Sequence, residues 1–217
     1  TSLLQGGEFA MMRQHLPRAA LLAEVQARSA KVCAALAGLA TIQWFEGRYV
    51  EAEATAGKAV RISREINHLP LMFAAQIALA NALHGQARIR EAVQAAENLL
   101  DILRNNLGGG HVGATAPASV IARAFLAWFL IDVGETEGAC DACDRALRIA
   151  EEVDDDYGKA LSLSSRGSAR FAGRDLERAV EDLRAALQLA LRREFDAITP
   201  SLVGRLATAL VRSGRCG

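Results

Sequence analysis

The chain has 217 residues, 51% hydrophobic but only 5% aromatic, and its 25 basic residues balance its 25 acidic ones. Zero net charge without a basic stripe argues against a nucleic-acid surface driven by bulk charge. No uncharged apolar run reaches the length of about 18 residues that a membrane span needs, and residues 1–8 lack the basic start and apolar centre of a signal peptide, so the chain reads as soluble and cytoplasmic. Its only lysines are Lys31, Lys58 and Lys159, an arginine bias read as genomic composition and not as a phosphate site. The cysteines Cys33, Cys140, Cys143 and Cys216 fit a reducing compartment, because a chain of this length needs no disulfide staples.

In chain order, apolar periodicity predicts helices over residues 8–25, 29–45, 48–66, 70–84, 87–105, 117–133, 136–152, 156–172, 175–194 and 198–212. Pro17 falls inside the first, where a kink or early end is expected. Pro70, Pro117 and Pro200 stand near helix starts, where the missing N–H costs nothing. Glycine-containing turns separate the helices of each pair, at Gly47, Gly85, Gly134 and Gly173, and the glycine is expected to supply the left-handed backbone that ends a helix tightly. Residues 105–116 differ. Gly108, Gly109, Gly110 and Gly113 cannot hold a helix at ordinary cost, which predicts an inserted flexible loop: a tolerated surface insertion, or else a flap over a groove or a hinge.

The helices repeat on a ruler. Ala40, Ala80, Ala127, Gly167 and Ala207 are spaced 40, 47, 40 and 40 apart, and Ala52, Ala92, Ala139 and Ala179 follow twelve residues behind the first four. Fixed self-similarity means one supersecondary unit stacked on itself. The 47-residue step contains the glycine insertion.

The first helices read Leu36-x-x-Leu39-Ala40, Leu79-Ala80-x-x-Leu83, Leu126-Ala127-x-x-Leu130 and Leu206-Ala207-x-x-Leu210, and the second helices carry small residues at Ala52/Ala56/Ala59, Ala92/Ala96, Ala139/Ala146 and Ala179/Ala186. This pattern resembles the tetratricopeptide repeat family. The resemblance implies an all-α fold: a right-handed superhelical stack of antiparallel helical hairpins, about five repeats, forming one solenoid over residues 1–217. The period of 40 departs from the family's usual 34. It resembles the long-period repeats found C-terminal to signalling ATPase and nucleotide-cyclase modules of bacteria, and those of maltose-regulator type transcription activators. Arg166 and Arg170 flank Gly167 where apolar residues belong, which makes this the weakest unit. Both ends lack a polar capping helix, so the chain is expected to be a fragment of a longer protein or an array capped by dimerisation.

No catalytic constellation is legible. Cys140-x-x-Cys143 has no second ligand pair for zinc and no preceding strand for a redox helix, and reads as buried structural cysteine. His15, His68, His84 and His111 are scattered, and Asp154, Asp155 and Asp156 precede a helix that they can cap, a cation site being the lesser reading. No Gly-rich phosphate motif is present. Catalytic residues, cofactor and metal are therefore all expected to be none.

The resemblance implies that the inner wall is made by first helices. It points to Thr41, Trp44, Phe45, Asn81, His84, Trp128, Ile131, Asp132, Ser164, Ser168 and Phe171 as groove residues, with Thr208 and Arg212 in the last helix. Tryptophan here serves either inter-repeat packing or a ligand anchor. The family's acidic-tail clamp is not expected: Asn81 is present, but Ile77 stands where its lysine should be. The expected function is a protein-interaction or regulatory module, taking a peptide, a partner helix or a neighbouring domain of a bacterial signalling or transcription-regulatory protein. The alternatives are a sensor of a small molecule or short signalling peptide, and a scaffold that dimerises through its end repeats. The chain itself is read as non-enzymatic, with a regulatory place beside an enzyme such as a nucleotide cyclase left open. Direct nucleic-acid or membrane binding is not expected.

Overall fold

The structure, a computed structural model, describes residues 30–106 and 116–214. Among these the helices are α1 (Ala30–Phe45), α2 (Tyr49–Glu65), α3 (Leu69–Gly85), α4 (Ile89–Asn106), α5 (Ala118–Asp132), α6 (Thr136–Glu152), α7 (Asp156–Ala172), α8 (Leu176–Arg192) and α9 (Thr199–Arg212), with no strand. Every boundary falls within two residues of the periodicity reading. The expected helix over 8–25 with Pro17, and the glycines of the 105–116 insertion, lie outside the described residues.

The chain divides into two compact units, residues 1–102 and 103–217. In the first, α2 packs on both α1 and α3, and α1 packs on α3. In the second, α6 lies against α5 and α7, α8 against α7 and α9, and α5 packs on α7. Each unit thus alternates first helices, which touch one another, with second helices, which seal the pairs from behind.

Small residues explain the close approach. Ala40, Ala80 and Ala127 on the first helices and Ala52, Ala92, Ala139 and Ala179 on the second are at most 1% exposed. Each lets a neighbouring helix come near, and larger residues fill the space beside it. Val32, Cys33, Leu36 and Val60 do so in the first unit, and Val180, Leu183 and Leu202 in the second. Gly167 is the extreme case: a Cβ there would sit 2.7 Å from Leu183 Cγ and 3.2 Å from the Ala179 carbonyl oxygen. Ala207 is exposed, because no second helix follows α9 among the described residues.

The turns obey a shorter step than the ruler. Left-handed backbone recurs every twenty residues, at Gly47, Asn67 and Ala87 in the first unit and at Gly134, Asp154, Arg174, Glu194 and Gly214 in the second. At seven of these turns the next N–H reaches back five residues: Arg48 to Gln43, His68 to Ser63, Arg88 to Leu83, Glu135 to Leu130, Asp155 to Ala150, Asp175 to Arg170 and Phe195 to Ala190, at 2.8–3.1 Å. This closure is the Schellman type. Turns within and between hairpins are therefore the same device. It also corrects the glycine reading. Gly85 lies inside α3 and Gly173 has φ −74°, so the left-handed position falls to Ala87 (φ +60°) and Arg174 (φ +64°). Gly85 is small for a different reason: a Cβ would run into the Tyr49 ring.

Candidate binding groove

The second unit contains a cavity of about 550 Å³ between α5, α7 and α9. It is built from repeat register. Positions forty apart line up across the three helices: Ile121, Leu161 and Ser201 in one row, and Phe125, Ser165 and Arg205 in the next. Ala124 and Ser164, and Trp128 and Ser168, belong to further rows, while Ile131 and Asp132 extend the α5 wall. The rows make the groove asymmetric. Its α5 wall is aromatic and aliphatic apart from Asp132, its α7 floor is lined largely by serine, and its α9 wall sets Ser201 and the cationic Arg205 beside Leu202.

Local packing holds the aromatic wall in place. Phe129, one residue beyond Trp128, is fully buried. Its ring centroid is 5.5 Å from that of Trp128 and 6.3 Å from that of Phe125, and Phe125 and Trp128 are 6.3 Å apart. These are favourable aromatic separations, so the exposed edges of Phe125 and Trp128 rest on a core anchor. On the opposite wall Arg205 Nη1 donates to Ser168 Oγ at 2.9 Å, and Ser168 Oγ donates to the Ser164 carbonyl oxygen at 3.0 Å. The guanidinium is thereby oriented across the serine floor. Crowding by the wall holds its pKa below the ordinary arginine value, although the residue keeps solvent access. It remains a cation at any physiological pH.

A second cavity of about 330 Å³ continues on the far side of Arg205, bounded by Phe171, Leu183, Gly204 and Thr208. It shares Ser168, Ser201 and Arg205 with the first. A Cβ added at Gly204 would meet nothing within 4 Å, so this glycine leaves the groove open there.

Of the groove residues expected from sequence, Trp128, Ile131, Asp132, Ser164 and Ser168 border the large cavity and Phe171 the smaller one, together with Thr208. Thr41, Trp44, Phe45, Asn81 and His84 stand in the first unit. There Phe45 is 56% exposed and meets Trp44 edge to face at 4.7 Å. Thr41 Oγ1 is turned back onto the Ala37 carbonyl oxygen at 3.0 Å. Asn81 is buried, and its Oδ1 has no hydrogen-bond partner among the described residues. Sequence reasoning missed Ile121, Phe125, Leu161, Ser165, Ser201 and Arg205. The signal was available: these lie one or two helical turns before the chosen positions on the same face, at the i−3 and i−7 spacings of an amphipathic helix.

The other motifs resolve into scaffold. Arg166 and Arg170, which looked out of place, close a partly buried ion network. Arg166 Nε and Nη2 donate to the two carboxylate oxygens of Asp182 at 2.9 and 2.7 Å, and its Nη1 donates to Asp144 at 2.6 Å. Arg170 Nη1 donates to Asp182 at 2.8 Å. Asp182 is only 4% exposed, and its hydrogen bonds hold the Arg166 pKa above the usual range. The pair Cys140 and Cys143 is unbridged. Burial pushes both thiols up, Cys143 strongly. Asp155 caps α7 by accepting from the Gly158 N–H at 3.1 Å, while Lys159 donates to Asp154 at 2.5 Å and to Asp156 at 3.1 Å. No cluster of three or more His, Cys, Asp or Glu side chains that could hold a metal occurs among the described residues, and none of their helices is long and apolar enough to cross a membrane.

No protein-family model and no curated protein matches the chain. Solved structures do. BtubC (BKLC) from P. vanneervenii superposes with a TM-score of 0.74 at 18% identity, over 97% of this chain and 86% of that one. The signalling ATPase PH0952 of Pyrococcus horikoshii, a STAND protein described as having a tetratricopeptide repeat sensor, gives 0.65 at 16% identity, over 83% of this chain but 27% of its own length. A Rap protein solved in complex with competence and sporulation factor gives 0.60 at 13% identity, over 94% of this chain and 58% of that one. At these identities the likeness establishes architecture. With the alanine ruler, the hairpin packing and the twenty-residue turn step, it identifies the chain's fold as that of the tetratricopeptide-type helical repeats.

Proposed function

We propose that the chain is a protein-interaction and regulatory module, and that the groove between α5, α7 and α9 takes a peptide, a partner helix or a neighbouring domain. The observation that carries this reading is the cavity itself. Three successive first helices present one aromatic wall, a serine floor and one cationic wall to a space of about 550 Å³. Buried aromatic anchors beside polar groups are the usual energetic centre of such interfaces. The presence of a signalling ATPase with a tetratricopeptide repeat sensor and of a Rap protein complexed with competence and sporulation factor among the similar folds supports a place in a signalling or transcription-regulatory protein. The chain then couples partner binding to an output domain and performs no catalysis of its own.

The test is selection of ligands from a random heptapeptide display library on the chain, followed by affinity measurement on Trp128→Ala. The reading expects selected peptides to lose about tenfold or more in affinity, the effect of removing a central aromatic anchor. Unchanged affinity with an intact helical fold would sink it.

A second reading rests on the same volume, which lies in the range of small-molecule sites, about 300–1,000 Å³. A sensor of a small molecule would show a thermal shift with a metabolite library in place of peptides.

A further inference from the structure

We propose that the groove recognises an acidic side chain, Asp or Glu, placed within an extended peptide, with Arg205 binding the carboxylate while a large apolar side chain of the same peptide packs on Phe125 and Trp128. This deepens the groove reading above and rests on it.

Three observations lead here. First, several described cations are matched by carboxylates, Arg166 and Arg170 on Asp182 and Lys159 on Asp154 and Asp156, whereas half-buried Arg123 donates to the Ser119 carbonyl oxygen of its own helix. Arg205 has none among the described residues. Its one hydrogen bond goes to the neutral hydroxyl of Ser168, which orients it and leaves most of its N–H donors unused. A solvent-accessible guanidinium oriented by one neutral hydroxyl and without an anion is a ready donor to a carboxylate, and such charge-assisted hydrogen bonds are the strong kind. Second, the hydroxyls of Ser165 and Ser201, which line the same cavity, make no hydrogen bond among the described residues and can donate to the same group. Third, the groove does not stop at Arg205. The smaller cavity continues past it, and Gly204 leaves that side open. A ligand therefore runs on beyond the guanidinium, which selects an internal acidic side chain over a terminal carboxylate. The row Phe125, Ser165, Arg205 sets the order across the groove: apolar contact on α5, carboxylate on α9.

The experiment uses the full chain and two displayed random heptapeptide libraries, one ending in a free carboxylate and one extended at both ends by Gly-Ser. The selected peptides are then synthesised and titrated by fluorescence polarisation. The proposal expects Asp or Glu enriched at one position near an aromatic or branched aliphatic residue in the extended library. It expects affinity to fall about ten- to a hundredfold in Arg205→Gln, as for loss of a charge-assisted hydrogen-bonded pair. It also expects affinity to weaken as salt rises. Gly204→Leu, whose Cβ would meet nothing within 4 Å, should block binding while the circular dichroism melt stays native. Peptides that lose affinity on Trp128→Ala but show no acidic preference and ignore Arg205→Gln would overturn the carboxylate contact and leave the groove reading standing. Enrichment only in the free-carboxylate library would overturn the internal position. Peptides indifferent to Trp128→Ala, Gly204→Leu and Arg205→Gln alike, or no enrichment at all, would overturn both readings.

Discussion

Asp182 shows how one residue reconciles sequence and fold. Arg166 and Arg170 break the apolar pattern when α7 is read alone, and nothing within that helix answers them. Their partner stands twelve and sixteen residues on, in α8, at a position where the same face also carries Ala179 and Leu183. A one-dimensional pattern cannot show that pairing, because it depends on the two helices facing each other. Removing the carboxylate leaves two largely buried guanidiniums without their main acceptor. Asp182→Ala is expected to cost about 2–3 kcal/mol in urea denaturation, near the lower end for a broken buried pair because both arginines keep some solvent. Replacing the three together by Leu or Met should recover most of it, and a single variant as stable as the native chain would show the network to be dispensable. The thiols allow a second check. Burial raises the thiol pKa, so thiolate is scarce in the native state at neutral or mildly alkaline pH. Half-buried Cys140 should therefore alkylate with iodoacetamide at pH 8 well before Cys33 or Cys143, as read by mass spectrometry, with the order lost on denaturation.

At the scale of elements the helices were legible and their punctuation only half so. Periodicity placed each described helix because second helices bury one alanine-rich face, α1, α3 and α5 are apolar almost all round, and α7 and α9 are amphipathic. The turns were misread where glycine was assumed to hold the left-handed position. At Gly47 and Gly134 it does; at the other two hairpin turns the position falls on Ala87 and Arg174. Composition marks a turn, but the step from one helix end to the next, twenty residues, decides which residue bears the strain. A left-handed non-glycine residue costs about 1–2 kcal/mol. Ala87→Gly is therefore expected to stabilise the chain, by about 0.5–1 kcal/mol once the extra freedom of the unfolded glycine is counted. A shift of the denaturation midpoint in the opposite direction would contradict this account of the turns.

For the molecule as a whole, the repeat ruler is both the fold and the source of the site. Register of forty residues brings Phe125, Ser165 and Arg205 into one row, so a groove with two chemically different walls follows from three helices of nearly identical shape. Six of the eleven expected groove residues border its two cavities, and the other five belong to the first unit. The missed residues lie on the same helix faces, earlier by one or two turns. Apart from Ser164, the expected positions follow each helix for a single turn beyond the ruler and not for the turns before it. The cationic wall was hidden for a further reason: one arginine among 25 basic residues carries no mark in sequence until the fold shows which of them has no carboxylate partner. The central claim is that this groove binds a peptide through its aromatic wall. The most direct measurement is the affinity of the best library-selected peptide for the native chain and for Trp128→Ala, by fluorescence polarisation under one buffer. Weakening of about tenfold or more with the fold intact is expected; equal affinity for the two proteins would rule out peptide binding through the aromatic wall.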